Sequence, residues 1–233
     1  MKKLGIIGAM DIEIQMLKEN MEKLTVKEKA GTEYYEGVLN GLPVVLVRCG
    51  IGKVNAAIGA QVLCDCFDVT HIVNTGIAGS LCALQDIGDL VVSRDVMHHD
   101  FDCVAFGYPM CMIPGMPQSF PADAQLMEFA RQAAEQVNPG HVRQGRIASG
   151  DQFVADKALK EQIISRTEAL CTEMEGAAIA QTAYRNGIPF VILRAISDKA
   201  DDSAQMDYPT FEAQAARRCA QVVMTLAQKL INI

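Results

Sequence analysis

Short apolar runs alternate along the chain with stretches whose apolar residues recur every three or four positions. That pattern predicts βαβ units around a largely parallel or mixed sheet. Leu4 to Ala9 is a continuous apolar run, read as a buried first strand, and Ile14, Leu17, Met21 and Leu24 follow at helical spacing. Thr32–Leu39 and Pro43–Cys49 read as strands joined at Asn40-Gly41, a strong hairpin signal. Val54, Ala57, Ile58 and Val62 mark a second helix, and His71–Asn74 and Asp89–Ser93 are further short strands. Leu126, Phe129, Ala130, Ala133 and Val137 form a helical stripe that ends at Asn138-Pro139-Gly140. Val142–Ser149 is a strand candidate, Ala177–Tyr184 is helical, and Phe190–Ser197 is the most strand-like run of all. Phe211, Ala215, Cys219, Val222, Leu226 and Leu230 share one face of a final helix. No repeat, low-complexity tract or linker interrupts this order, so residues 1–233 read as one α/β domain.

Composition narrows the function classes. With 50% apolar and 21% charged residues among 233, the chain has the make-up of a globular domain able to bury a full core. Its net charge of −7 repels phosphate backbones and anionic lipid, which argues against nucleic-acid or membrane-surface partners. Eight cysteines show no CxxC pair, and most sit inside apolar stretches. Free thiols in a reducing compartment fit that usage, and a cytoplasmic protein is expected. The apolar run at the start is short and Asp11 and Glu13 follow at once, unlike a signal peptide.

Cys103 to Ala122 carries no charge for twenty residues and holds Pro109, Pro114, Pro117 and Pro121. The prolines exclude a regular membrane helix. A loop of that length is usually functional, and so much charge-free surface predicts burial by a second subunit, closing a ligand site.

Ligands of open α/β sheets bind beyond the carboxyl ends of the strands. Three carboxylates follow strands in this way: Glu13 in the first turn of its helix, Glu175 opening another, and Asp198 after Phe190–Ser197. Each also suits a helix terminus or turn taken alone. Together they would bring acid/base groups to one end of the sheet. Arg194, inside an apolar strand, calls for an anionic neighbour. Gly50-Ile51-Gly52-Lys53 lacks the phosphate-loop pattern, because Val47 and Val54 replace its Gly and its Ser or Thr. Asn74–Ser80 reads as a glycine turn suited to close ligand approach. His98-His99-Asp100 with Asp102 matches no standard ligand spacing, so no metal is expected.

Several blocks in register resemble 5′-methylthioadenosine/S-adenosylhomocysteine nucleosidases. They are Gly5–Ile14, Gly50–Val54, Asn74–Gly79, Ala105–Tyr108, Ser149–Phe153, Glu173-Met174-Glu175 and Arg194–Asp198. The final helix fits as well, so the resemblance spans the chain. It implies a twisted mixed sheet flanked by helices, no metal or organic cofactor, and cleavage of an adenine N-glycosidic bond by water. The substrates implied are 5′-methylthioadenosine, S-adenosylhomocysteine and 5′-deoxyadenosine, in methionine salvage and the recycling of S-adenosylmethionine by-products. Asp198 would protonate adenine N7, Glu13 would hold the attacking water, and Glu175 would bind the ribose hydroxyls beside Met174. Phe153 would stack on adenine and Val154 backbone groups would read its edge. Met10, Ile51 and Tyr208 would line the 5′-alkylthio region, with Phe106 and Pro114 reaching in from the partner of a homodimer. The matched blocks also bring Ile77, Ser149, Glu173, Arg194 and Ser197 to the substrate site.

Two departures carry meaning. Ile77 stands where many relatives have Ser, and Asn74 lies near where phosphorylases of the wider superfamily use Arg to grip phosphate. An apolar side chain and a neutral amide favour hydrolysis over phosphorolysis. Tyr208, where Phe is common, adds a hydroxyl near the 5′ region. Nucleosidases for other 5′-substituted adenosines such as aminodeoxyfutalosine, a purine nucleoside phosphorylase, and a nucleoside sensor without turnover are the competing readings. All three carboxylates are present, which disfavours the sensor.

Overall fold

The computed structural model describes residues 2–231. In chain order its elements are β1 (Leu4–Gly8), α1 (Asp11–Glu19), β2 (Met21–Lys29), β3 (Thr32–Leu39), β4 (Leu42–Arg48), α2 (Lys53–Cys66), β5 (His71–Ser80) and β6 (Leu90–His98). There follow β7 (Phe120–Pro121), α3 (Ala124–Val137), β8 (Val142–Ser149), α4 (Lys157–Thr167), β9 (Cys171–Glu173), α5 (Gly176–Asn186), β10 (Phe190–Asp198) and α6 (Ala204–Leu230).

The strands form one mixed sheet. β1 lies parallel to β4 and β5, and β5 is parallel to β10. β6 pairs antiparallel with β10 and parallel with β8, which is parallel to β9. β9 then returns antiparallel to the end of β5, so β5, β10, β6, β8 and β9 close into a ring. The β2–β3–β4 meander extends the sheet on the other side. Helices α1, α3 and α6 pack on one face of the sheet, and α2 and α5 on the other. β1 and β10 are buried along their whole length, the condition under which strands read as continuous apolar runs rather than alternating ones.

The structure departs from the sequence pattern in identifiable places. α1 stops at Glu19, and Met21 and Leu24 lie on edge strand β2, not on the first helix. β2 is exposed along nearly its whole length, so no buried face supports the weak helical spacing and pairing with β3 wins over it. On α2 the buried positions are Ala56, Gly59, Ala60 and Leu63, whereas Val54 is 71% exposed. Small residues let α2 sit close to the sheet: a Cβ on Gly59 would lie 2.9 Å from the Cys49 Cβ. Leu63 packs inward, while Val54 and Ile58 are left facing outward. β5 runs unbroken through Ser80, so Asn74–Ser80 is strand and not turn. α4 and the three-residue β9 have no counterpart in the pattern. The charge-free segment lies on the surface, with Phe106 82% exposed and Pro114 also exposed.

Candidate active site

A cavity of about 420 Å³ opens at the carboxyl ends of β1, β5 and β10, where the chain topology favours ligand binding. Met10, Glu13, Ile51, Ile77, Phe153, Val154, Glu173, Met174, Glu175, Ser197, Asp198 and Tyr208 line it. Ser149 and Arg194 stand behind this wall, fully buried, and hold the carboxylates in place. Phe106 and Pro114 lie outside the cavity of their own chain. Ala9, Ala78, Gly79, Gln152 and Thr172 complete the lining. They escape sequence reasoning because most contribute backbone or a small face and carry no chemical signature.

Glu13 sits at the third position of α1, immediately after β1. One carboxylate oxygen accepts the amides of Ala9 (2.7 Å) and Met10 (3.0 Å), which caps the helix and fixes the side chain. The other accepts the Ile77 amide at 3.1 Å. Gly76 makes that approach possible, since a Cβ there would lie 2.5 Å from Glu13 Oε1. Burial pushes the Glu13 carboxyl upward, against the pull of Arg194 and of the three amides. Capping and a site role are thus served by different oxygens of one side chain.

Arg194 is paired with Glu173 and also donates to Asn74 Oδ1. Glu173 further accepts the hydroxyl of Ser149 and the amides of Glu175 (3.2 Å) and Gly176 (2.8 Å) at the start of α5. Although burial opposes its charge, Arg194 and these donors hold the Glu173 carboxyl below its ordinary range. Ser149 in turn accepts the Ala177 amide at 2.7 Å. Glu173 is therefore the anion that the buried Arg194 demanded.

Glu175 has the opposite setting. It opens α5 and faces the cavity, held by one hydrogen bond from the Gly52 amide at 2.8 Å. Burial, and the negative charge of Glu173 beside it, push its carboxyl up to about 8. Glu13, Glu173 and Glu175 thus share one guanidinium: Glu173 holds the ionised form against it, while positive charge entering the cavity would draw the raised carboxyls of Glu13 and Glu175 toward ionisation.

Asp198 ends β10. Its two oxygens accept the Ala200 amide and the Ser197 hydroxyl, both at 2.8 Å. Burial raises its carboxyl, with Asp207 and Asp201 adding to the shift, so it holds a proton more firmly than a free aspartic acid. Gly79 lies directly beneath, and a Cβ there would fall 2.7 Å from Asp198 Oδ1. Above the cavity Phe153 meets Tyr208 edge to face, with ring centroids 5.4 Å apart. The Tyr208 hydroxyl donates to Met10 Sδ at 3.3 Å, completing an apolar wall.

The site thus gathers around one cavity the raised carboxyl of Asp198, the carboxyls of Glu13, Glu173 and Glu175, and the rings of Phe153 and Tyr208. The phosphorylase superfamily model matches residues 3–228. A curated 5′-methylthioadenosine/S-adenosylhomocysteine nucleosidase from Exiguobacterium is 41% identical over 98% of both chains. The chain belongs to this nucleosidase family, within the phosphorylase superfamily. The Neisseria meningitidis nucleosidase, solved with methylthio-immucillin-A, superposes with a TM-score of 0.95 at 38% identity, covering 98% of this chain and 100% of that one. A futalosine hydrolase from Helicobacter pylori superposes with a TM-score of 0.93 at 31% identity, covering 98% of each. The nucleosidase family accounts for the mixed sheet flanked by helices and for the blocks in register along the sequence.

Proposed function

We propose that the protein hydrolyses the N-glycosidic bond of 5′-methylthioadenosine and S-adenosylhomocysteine, and also of 5′-deoxyadenosine, releasing adenine and the 5′-substituted ribose. The observation that carries the reading is the meeting in one cavity of Asp198, whose carboxyl burial raises, with the carboxyls of Glu13, Glu173 and Glu175.

Neutral adenine is a poor leaving group. Asp198, favoured in its acid form, donates its proton to N7 of adenine, and the departing base carries the bonding electrons. Positive charge grows on the sugar as the bond stretches. Glu175, placed beside Met174, accepts the ribose hydroxyls; those donors and the growing positive charge favour its ionised form over the raised acid of the free protein, and the anion stabilises the sugar cation. Glu13 holds a water on the opposite side of the sugar and accepts its proton as the water oxygen bonds to the anomeric carbon. Phe153 stacks on the base, with Val154 at its edge, while Met10, Ile51 and Tyr208 contain the 5′ substituent.

Hydrolysis is favoured over phosphorolysis by charge. Phosphate would have to enter beside Glu13, with Arg194 already committed to Glu173 and the side chain of Ile77 unable to donate a hydrogen bond.

The protein acts as a homodimer in this reading, with Phe106 and Pro114 completing the partner's site. The exposed apolar side chains of Ile51, Val54, Ile58, Val104, Phe106 and Tyr108 support it, since a surface of that kind favours burial against a second copy. Eight free thiols among the described residues fit a reducing cytoplasm, and no described helix is long and apolar enough to cross a membrane.

Hydrolysis of aminodeoxyfutalosine is the second reading, favoured by the likeness to the futalosine hydrolase. Adenine release from each nucleoside in parallel separates them. The account expects the highest kcat/KM on methylthioadenosine or S-adenosylhomocysteine. Turnover of aminodeoxyfutalosine alone would overturn it.

A further inference from the structure

An ionic cluster outside the cavity ties together three segments that meet at its rim. Lys53 opens α2, Asp100 follows β6 and Asp151 follows β8. The Lys53 ammonium donates to both oxygens of Asp100, at 2.7 and 2.8 Å. Asp100 also accepts the Asp151 amide at 3.0 Å, and Asp151 accepts the Lys53 amide at 2.8 Å. The three residues therefore close a ring of hydrogen bonds between segments far apart in sequence. Lys53 and Asp100 keep only about a fifth of their side-chain surface exposed, at 20% and 21%. Burial opposes the charge of Asp100, yet the ammonium and the amide hold its carboxyl below the usual range.

None of these side chains touches the cavity, but each segment reaches it or its surroundings within a few residues. Immediately before Lys53 come Ile51, which lines the cavity, and Gly52, whose amide is the hydrogen bond to Glu175. Two residues beyond Asp151 stands Phe153, half exposed and meeting the edge of Tyr208. Asp100 leads into the segment carrying Phe106. Backbone packing reinforces the junction, since His99 lies where a Cβ on Gly150 would stand, 2.3 Å away.

We propose that Lys53, Asp100 and Asp151 form a latch that positions Ile51, Phe153 and the Gly52 amide, and so sets the grip on the nucleoside; the proposal rests on the nucleosidase reading. The three are positioning residues. Their effect falls mainly on KM, because Ile51 and Phe153 contact base and 5′ substituent equally in the ground and transition states. Displacing such groups by about 1 Å costs up to about 100-fold.

The test measures steady-state methylthioadenosine hydrolysis and, separately, adenine affinity by calorimetry, for the wild type, Lys53→Met, Lys53→Arg and Asp100→Asn. Lys53→Met is expected to raise KM and the adenine dissociation constant together, each by about tenfold or more, with a smaller change in kcat. Lys53→Arg is expected to restore both to within about threefold, since guanidinium also forks onto a carboxylate. Asp100→Asn, which keeps an acceptor for the Asp151 amide, serves if Lys53→Met does not fold and is expected to shift KM the same way. Folded variants with KM and adenine affinity within twofold of wild type would overturn the latch, as would loss confined to kcat. If the wild type binds adenine but hydrolyses no nucleoside, the nucleosidase reading fails, while the adenine affinities still decide the latch.

Discussion

Asp198→Asn exchanges a carboxyl for an amide of nearly the same shape, and the surroundings are able to accept it. The amide oxygen takes over the Ala200 N–H at 2.8 Å, and the Ser197 hydroxyl, now 2.8 Å from an NH₂, turns to accept. No buried donor or acceptor is orphaned, so the large penalty for an unsatisfied group does not arise. Burial raises the Asp198 carboxyl in the folded protein. A raised acid holds the folded state more firmly at low pH, and that support is lost as pH rises through the folded pKa. At pH 8 the wild type therefore carries a cost that asparagine does not, and the variant should melt no lower than the wild type there. Chemistry suffers instead. An amide has no proton to give to adenine, and a positioned general acid contributes about 10²–10⁴-fold. At about 1.36 kcal/mol per decade, that is a barrier higher by about 3–5 kcal/mol. The assay is single-turnover adenine release beside calorimetric titration with methylthioadenosine. The expected result is a kcat lower by at least 100-fold with measurable substrate binding and an unchanged or higher melting temperature at pH 8. Hydrolysis within tenfold of wild type would refute the assignment of Asp198 as the acid.

Three other perturbations probe separate parts of the account. Glu175 is pushed up to about 8 from 4.5, so the free protein should lose stability as pH rises across that interval; Glu175→Gln should flatten the decline in melting scans and lower kcat by about 100-fold. Gly76→Ala sets a methyl group 2.5 Å from Glu13 Oε1; the carboxylate must shift, and kcat should fall by at least tenfold while circular dichroism stays that of the wild type. Phe106→Ala should weaken the dimer in analytical ultracentrifugation and raise KM for methylthioadenosine severalfold, whereas an unchanged KM would detach Phe106 from the partner's site.

The elements most legible in the sequence were those whose environment is uniform along their length. β1 and β10 are buried on both faces, so they read as apolar runs, broken in β10 only where Arg194, Ser197 and Asp198 serve the site, and the stripe on α6 matches a helix packed on the sheet. α2 was legible as a helix but not in its orientation. Its contact face is mostly Ala and Gly, with Leu63, because the approach is close, and Val54 and Ile58 face outward. Met21 and Leu24 continue a helical spacing by coincidence, and pairing with β3 makes them strand. At the site, strand-end position marked Glu13, Glu175 and Asp198, and the buried setting of Arg194 implied a carboxylate. The partition of labour did not show: Glu173 lies two residues from Glu175, yet one is held low by Arg194 and the other pushed up beside it. Gly76 and Gly79 resembled turn residues because glycine has several uses. Here each is a strand position stripped of a side chain so that Glu13 and Asp198 can come close.

The most direct measurement of the central claim is the rate of adenine release from methylthioadenosine with and without inorganic phosphate, with the sugar product identified by mass spectrometry. Water as nucleophile, held by Glu13 in a cavity whose carboxylates repel phosphate, predicts free methylthioribose at a rate that phosphate does not change. A rate that requires phosphate, yielding methylthioribose 1-phosphate, would contradict it.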